Sequence, residues 1–464
     1  MITAKAFAGK HYAVLGLARS GQATVEALLA SGAKVTAWDD REEARALARS
    51  LSPFGGEGRG EGDTISIPDS PSPSAADAAP SSPLKGRGLS VADFTSGDLT
   101  QFDSIVVTPG LPLNRHPIAA RAKDAGIEII GDIELFARAR PELPPHKVVG
   151  ITGTNGKSTT TALVHHILQT AGLPSLMGGN IGLPILSRDP LPEGGVYVLE
   201  LSSYQIDLTQ SLDCDVAVLL NVTPDHLDRY ESFEAYAASK ARLFEMQSIN
   251  SVAIEPEEGF QADDPVEVWG DSYEGREGDP TTLGTQKNWP SLQGPHNAQN
   301  AYAAITVCAF LGMSQEKVAR ALRTFRGLPH RMERIRNIDG VLFVNDSKAT
   351  NAEAAAPALA AYPKVRWIVG GQAKGETLGD TVDQLGHVVT AYTIGEAGPM
   401  FARLLRDAGV TVIECETLEN AVRSAAEDSQ AGETVLLSPA SASFDQFRDF
   451  EARGDRFREL VEGL

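Results

Sequence analysis

Gly153-Thr154-Asn155-Gly156-Lys157-Ser158-Thr159 brings together the residue types that a nucleotide phosphate needs. Successive backbone N–H groups in a glycine-rich turn and at a helix N-terminus form a cradle for anions, and Lys157 adds a full positive charge. Ser158 or Thr159 is placed to offer a hydroxyl to a magnesium ion. The spacing is short: the glycine expected five positions before the Gly-Lys pair is replaced by Ile151, which leaves G-x-x-G-K-S. The flanks supply the required context. Lys147–Thr152 reads as an apolar strand, and Thr160–Leu168 reads as a helix stopped by Gly172 and Pro174. Phosphate binding is therefore expected here, rather than a bare strand–helix turn with a surface lysine.

Other chemistry-bearing residues stand at strand ends. Val196–Leu201 is an apolar run carrying Glu200 near its tip, where a phosphate-loop protein usually holds magnesium. Val216–Val222 reads as a further strand, followed by Thr223-Pro224-Asp225-His226-Leu227-Asp228. His226 reads equally as a satisfied loop histidine, and no third nitrogen or sulfur ligand accompanies Asp225 and Asp228 to suggest zinc. Lys240 lies in a helix over Phe233–Glu245 and by itself reads as a solvated residue. Asn297 and Asn300 share a helix face at i, i+3, where they would read a base or satisfy backbone groups. Near the N-terminus, Gly16-Leu17-Ala18-Arg19-Ser20-Gly21 follows a short strand, and Asp39-Asp40-Arg41 ends the next one. That pattern resembles a dinucleotide-binding βαβ unit, but Ala18 replaces its middle glycine, so the signal is weak.

The elements that must position these residues alternate strand and helix along the chain. The expected fold is α/β, with three doubly wound domains: Rossmann-like N-terminal, P-loop ATPase-like central and Rossmann-like C-terminal. The expected boundaries are 1–145, 146–328 and 329–464, the first marked by Pro141, Pro144 and Pro145 and the second by Gly327–Arg331. Residues 52–88 are rich in Pro, Ser, Gly and Asp without apolar period, and read as a disordered insertion. In the third part, strands at Val341–Asn345, Val365–Val369, Thr390–Ile394, Thr411–Ile413 and Thr434–Ser438 end in polar or small residues that would line a crevice.

Composition narrows the function classes. The 464 residues, 42% hydrophobic, suffice for two or three cores. A formal net charge of −20 argues against nucleic acid or acidic membranes as partners. Cys214, Cys308 and Cys415 are far apart, which disfavours disulfides and zinc–thiolate sites and suits a reducing cytoplasm. No leader-like N-terminus or membrane-length apolar run is present, so a cytoplasmic protein without stable membrane insertion is expected.

Several strings together resemble one family. Thr152–Thr159 is similar to the phosphate loop of the Mur ligases, which departs from the usual spacing in the same way. Asn221–Asp228, Gly294–Asn300 and Gly327–Arg331 resemble that family's later motifs, in the right order. Asn345–Asn351 and Leu437–Phe447 look like the branch that adds D-glutamate, and the Asp-Asn-Pro-Arg string of the diaminopimelate-adding branch is absent. The resemblance covers nearly the whole chain apart from 52–88.

The resemblance implies an ADP-forming amide ligase of peptidoglycan synthesis, using ATP and Mg2+ to join D-glutamate to UDP-N-acetylmuramoyl-L-alanine through an acyl phosphate. It implies that Gly16, Leu17, Ala18, Arg19, Asp39, Arg41, Pro109 and Gly110 lie near the UDP part, and that Asn180 and Gln205 contact the muramoyl-alanine part. Gly153, Thr154, Asn155, Gly156, Lys157, Ser158 and Thr159 would hold ATP, with Asn297 and Asn300 at its adenine end and Arg331 and Asp346 at phosphates and ribose. Ser158, Glu200, His226 and a carbamylated Lys240 would serve the metal, and Lys157, Glu200, His226, Lys240 and Arg331 the catalysis. Lys348, Thr350, Lys374, Ser443 and Phe450 match the D-glutamate pocket. A monomer is expected, with hinge movement at Gly327–Pro329. The rival readings are a sibling ligase or folylpolyglutamate synthase with another acceptor, and a non-catalytic nucleotide-binding switch. An oxidoreductase based on the Gly16 turn is the weakest, because Ala18 interrupts its fingerprint.

Overall fold

A computed structural model describes residues 1–50, 88–223, 229–255, 283–284 and 286–464. The proposed disordered insertion, apart from Gly88, and His226 lie outside the described residues. The described residues form three separate sheets. The first holds β1 (His11–Leu15), β2 (Lys34–Trp38), β3 (Leu89–Val91), β4 (Ser104–Val107) and β5 (Ile129–Ile130), all parallel, in the order β3-β2-β1-β4-β5. The second holds β6 (His146–Thr152), β7 (Ser175–Gly179), β8 (Gly195–Glu200), β9 (Val216–Leu219) and β10 (Val252–Ile254), again parallel, in the order β10-β9-β6-β8-β7. The third holds β11 (Glu333–Ile338), β12 (Val341–Asn345), β13 (Val365–Gly370), β14 (Val388–Ile394), β15 (Val412–Glu416) and β16 (Thr434–Leu437), in the order β11-β12-β16-β13-β14-β15.

Helices cover both faces, so the central strands must be apolar throughout. All of β4, β8, β13 and β16 is buried, and their mainly apolar runs were legible as strands; Arg366 in β13 is buried against Glu433. The edges were harder to read. In β11, Glu-Arg-Ile-Arg-Asn-Ile sits half-exposed and antiparallel to β12, and its polar composition hid it. The missed signal is the Asp339-Gly340 pair, both at positive φ (48° and 84°), which closes a two-residue hairpin between Ile338 and Val341. Conversely β9 stops at Leu219 rather than at Val222, because Asn221 leaves the sheet to bond the phosphate loop.

The first two sheets share a core. Helix Asp132–Ala139 is buried on nearly every side, and its Ile133, Leu135 and Phe136 pack with Tyr197, Leu199, Leu201 and Ile206 of the central sheet region. The buried Glu134 carboxylate accepts the N–H groups of Gln210 (2.7 Å) and Ser211 (2.9 Å), which fixes this helix to the central unit. Among the described residues no helix is long and apolar enough to cross a membrane.

Candidate active site

The phosphate loop leaves the C-terminal end of the middle strand, β6, and Gly156 precedes helix Lys157–Thr170. No side chain caps that helix, so the N–H groups of its first turn remain available to an anion. Lys157 Nζ donates to Gly153 O and Thr154 O, both at 2.7 Å, which places the ammonium within the loop. A strap after β9 holds the loop's shape. Asn221 accepts from Asn155 N–H through Oδ1 (2.8 Å) and from Thr154 N–H through its carbonyl (2.9 Å), while Thr223 N–H donates to Thr154 Oγ1 (3.0 Å).

Asn297 and Asn300 are both buried. Asn300 Nδ2 donates to Asn297 Oδ1 (3.1 Å), Asn300 Oδ1 accepts from Thr160 Oγ1 (3.3 Å), and Asn297 Nδ2 donates to Gln293 O (3.0 Å). The pair thus ties the first turns of the helix after the loop to the helix Pro295–Phe310. Gly156, at φ 84°, is where this matters: a Cβ there would stand 2.1 Å from Asn300 Oδ1. Gly156→Ala is therefore expected to weaken ATP binding by about tenfold or more, with a backbone cost of about 1 kcal/mol for the left-handed residue. Adding Asn300→Ala should recover part of the lost melting temperature by removing the clash. A double variant no more stable than the single one would refute this steric account.

Beside the loop, β8 ends in Glu200. Its carboxylate is oriented by Asn180, whose Nδ2 donates to Oε1 (2.9 Å) and whose N–H donates to the Glu200 carbonyl (2.8 Å). The other oxygen, Oε2, is buried with no hydrogen-bond partner. A buried anionic oxygen without a donor suits a cation, so Glu200 together with the buried Ser158 fits a magnesium site. Among the described residues no three His, Cys, Asp or Glu side chains gather as a complete metal cage. Lys240 is buried, donates to Gly153 O (3.0 Å) and stands 4.5 Å from the Tyr236 ring centroid. The solvated position read from its helix pattern is thus replaced by one against the phosphate loop. As an ammonium it donates and cannot ligate a cation.

The third sheet supplies a cationic crevice. Arg331 is half-buried on the strap entering β11, flanked by His330 (φ 60°) and Met332 (φ 50°). Burial pulls its guanidinium below the usual value, opposed by Glu200, Asp346 and Glu451. Asp346 secures that strap: its Oδ1 accepts Met332 N–H (3.2 Å) and its Oδ2 accepts Ser438 Oγ (2.8 Å). Burial raises the Asp346 carboxyl to about 7, against those hydrogen bonds and Arg331. Lys348 Nζ lies 4.0 Å from the Phe450 ring centroid, and burial, then Arg331, lowers its ammonium from the usual value. Thr350 is half-buried, Lys374 exposed and Ser443 buried. Glu451 and Glu200 oppose the Lys348 shift, and Lys374 adds a smaller part to it.

The crevice of the first sheet is tighter. Gly16, at φ 94°, lies so close to Thr108 that a Cβ would meet Thr108 Oγ1 at 2.4 Å. Ala18 precedes helix Arg19–Ala30, which again lacks a side-chain cap. Asp39 accepts Leu17 N–H (2.7 Å), Arg41 N–H (2.9 Å) and Arg41 Nε–H (3.0 Å). These bonds, led by that from the Arg41 side chain, hold the Asp39 carboxyl down at about 2. Asp39 therefore fixes the Gly16–Leu17 turn against the end of β2. Pro109 and Gly110 follow β4 on the same side. Gln205 is buried in a capping box with Ser202, so its carbonyl oxygen is already engaged.

Residues 151–288 match the family model of the Mur ligase middle domain, and 330–441 match that of the Mur ligase glutamate ligase domain. The chain is 55% identical over 467 residues to a UDP-N-acetylmuramoylalanine–D-glutamate ligase of Novosphingobium aromaticivorans, covering 100% of this chain and 97% of the relative. It is also 55% identical over 476 residues to the ligase of that name from Sphingopyxis alaskensis, covering 100% of both. The chain belongs to the Mur ligase family. A solved Mur ligase, the UDP-N-acetylmuramate-alanine ligase of Thermotoga maritima, shares the fold at TM-score 0.54 and 17% identity, covering 98% of this chain and 99% of that one.

Within this Mur ligase, several supporting residues escaped the sequence reading. Asn221 was visible inside a motif but without a role. Arg453 gave no signal: it is a buried arginine in helix Phe450–Glu462 whose side chain donates to Ser347 O, Ser441 O and Ala442 O. Tyr236, whose ring faces Lys240, read as an ordinary helix residue.

Proposed function

We propose that the chain uses ATP to join D-glutamate to the alanyl carboxylate of UDP-N-acetylmuramoyl-L-alanine in the cytoplasm, as a monomer of three units, 1–145, 146–328 and 329–464. One observation carries the reading. Beside the uncapped helix that follows the phosphate loop, Glu200 presents a buried carboxylate oxygen with no hydrogen-bond partner, the donor that a magnesium-bound nucleotide phosphate calls for.

A carboxylate resists amine attack because its oxygen is a poor leaving group. The alanyl carboxylate attacks the γ-phosphorus of ATP, forming an acyl phosphate and ADP. The D-glutamate amine then adds to the carbonyl, loses a proton, and phosphate departs with the C–O bonding pair. Lys157 and the first-turn N–H groups hold the phosphates, and Arg331 neutralises the charge that develops on them. Asn297 and Asn300 support the loop on its adenine side. Mg2+, held by Glu200 and Ser158 with His226 and a carbamylated Lys240 as further ligands, would neutralise phosphate charge. Lys348, Lys374, Thr350 and Ser443 receive the carboxylates of D-glutamate, with the Phe450 ring against the Lys348 ammonium. Hinge closure of the third unit on the central one would keep water from the acyl phosphate.

The test is phosphate release from ATP with UDP-N-acetylmuramoyl-L-alanine and each amino acid in turn. Release and amide product with D-glutamate alone support the proposal. Release with another amino acid moves the chain to a sibling reaction, and no release with any pair overturns it.

Lys348 gives this reaction a pH signature. Only the ammonium pairs with a carboxylate, and its lowered pKa means that charge is lost as pH rises, earlier than for a free lysine. The KM for D-glutamate should therefore climb as pH rises, at lower pH than the ordinary lysine range would give, and climb less in Lys348→Arg, which stays charged. The D-glutamate amine titrates identically in both proteins, so the difference between the profiles isolates Lys348. Parallel profiles would refute the assignment.

A further inference from the structure

A cavity of about 130 Å³ lies between the loop after β4 and the short helix Ser203–Asp207, lined by Pro109, Leu113, Tyr204 and Leu208 among others. Leu111 and Leu113 of one wall and Leu208 of the other meet in one apolar cluster beside it. Arg229 bridges the two walls. Its Nη2 donates to Gly110 O (2.8 Å), its Nη1 donates to Leu111 O (3.0 Å), and its guanidinium lies 4.5 Å over the Tyr204 ring. Asn114 Nδ2 returns a bond to the Arg229 carbonyl (3.2 Å).

The central side of this bridge continues toward the chemistry. Tyr204 stacks on Tyr230, at 6.1 Å between centroids and 10° between planes, and Tyr230 Oη donates to Asp207 Oδ2 (2.8 Å). Asp207 Oδ1 accepts from Ser239 Oγ (2.7 Å), the residue beside Lys240. Tyr204 itself belongs to the helix whose capping box begins two residues after Glu200. One guanidinium thus ties the Gly110 turn of the first sheet to the elements that carry Glu200 and Lys240.

We propose that Arg229 is a positioning residue for the nucleotide-sugar substrate: it sets the Pro109–Asn114 loop at the distance from Glu200 that lets the bound carboxylate reach the phosphate loop. This rests on the proposed function. A planar fork that bonds two carbonyls while lying on an aromatic ring cannot be replaced by an ammonium. The two units stay joined without it through helix Asp132–Ala139 and Glu134, so the fold does not depend on this contact.

The test compares wild type, Arg229→Met and Arg229→Lys as full chains, varying each of the three substrates in turn. Expected is a rise of about tenfold in KM for UDP-N-acetylmuramoyl-L-alanine, with the KM values for ATP and D-glutamate held within about twofold and the melting temperature nearly unchanged. Arg229→Lys should recover little. An unmoved KM for the nucleotide sugar, an equal rise in all three KM values, a collapse in melting temperature, or full recovery by Arg229→Lys would each overturn the assignment. Calorimetric binding of UDP-N-acetylmuramoyl-L-alanine separates the two levels. A wild type that neither binds nor turns it over refutes the functional reading, whereas a normal wild type with an equally normal Arg229→Met refutes only the role of Arg229.

Discussion

Lys157→Ala is expected to lower the rate of acyl-phosphate formation by about a thousandfold, the usual scale for losing a preorganised charge from a phosphoryl-transfer site. The ammonium sits on the carbonyls of Gly153 and Thr154, at the centre of the loop. Lys240 shares the Gly153 carbonyl but comes from another helix, and the remaining loop residues are Gly, Thr, Asn and Ser. Rapid-quench measurement of ADP formation in a single turnover isolates this step from product release. The fold should survive, since the loop's shape is held by Asn221 and Thr223 rather than by the lysine alone. A loss below about tenfold would show that the backbone cradle carries the phosphates unaided.

Arg453→Ala should be the most damaging change to stability. This side chain is 1% exposed, and its Nη2 donates to Ser347 O (2.9 Å) and Ser441 O (3.0 Å) while Nε donates to Ser347 Oγ (2.9 Å). It joins the loops after β12 and β16, which carry Lys348 and Ser443. Burial lowers its guanidinium to about 10, with Asp445 and Asp346 opposing the shift, so the group remains charged at neutral pH. Truncation strands several buried carbonyls and opens a cavity, at an expected cost of about 3–5 kcal/mol. The melting transition of the third unit should fall by roughly 10 °C or more. Arg453→Lys should rescue little, because one ammonium cannot span both loops. A melting temperature within a few degrees of wild type would refute this reading. Where enough folded protein remains, the KM for D-glutamate should rise more than that for ATP.

The α/β class, the phosphate loop and the interior strands were legible because each depends on neighbours in sequence. An apolar run of strand length, a glycine turn and a helix are local patterns. Edge strand β11 was not legible, since half of its surface faces solvent and its polar residues mask the alternation. Nor was the extent of β9, because what ends it is a bond from Asn221 to a loop 66 residues away. The same distance problem hid the supporting residues: the Arg453 contact with Ser347 spans 106 positions and the Arg229 contact with Leu111 spans 118.

The amino-acid sequence by itself determined the strand, glycine turn and uncapped helix of the phosphate loop, because each depends on neighbours in sequence. It also determined which carboxylates and lysines were available for chemistry. Only the tertiary structure decided what each does. Asp39 and Asp346 are both strand-end carboxylates, yet hydrogen bonds from Leu17 and Arg41 keep one strongly acidic, while burial raises the other to about 7. Lys240, solvated by its helix pattern, is buried against Gly153. Ionisation and hydrogen bonding depend on burial and on partners distant in sequence, and a linear pattern contains neither.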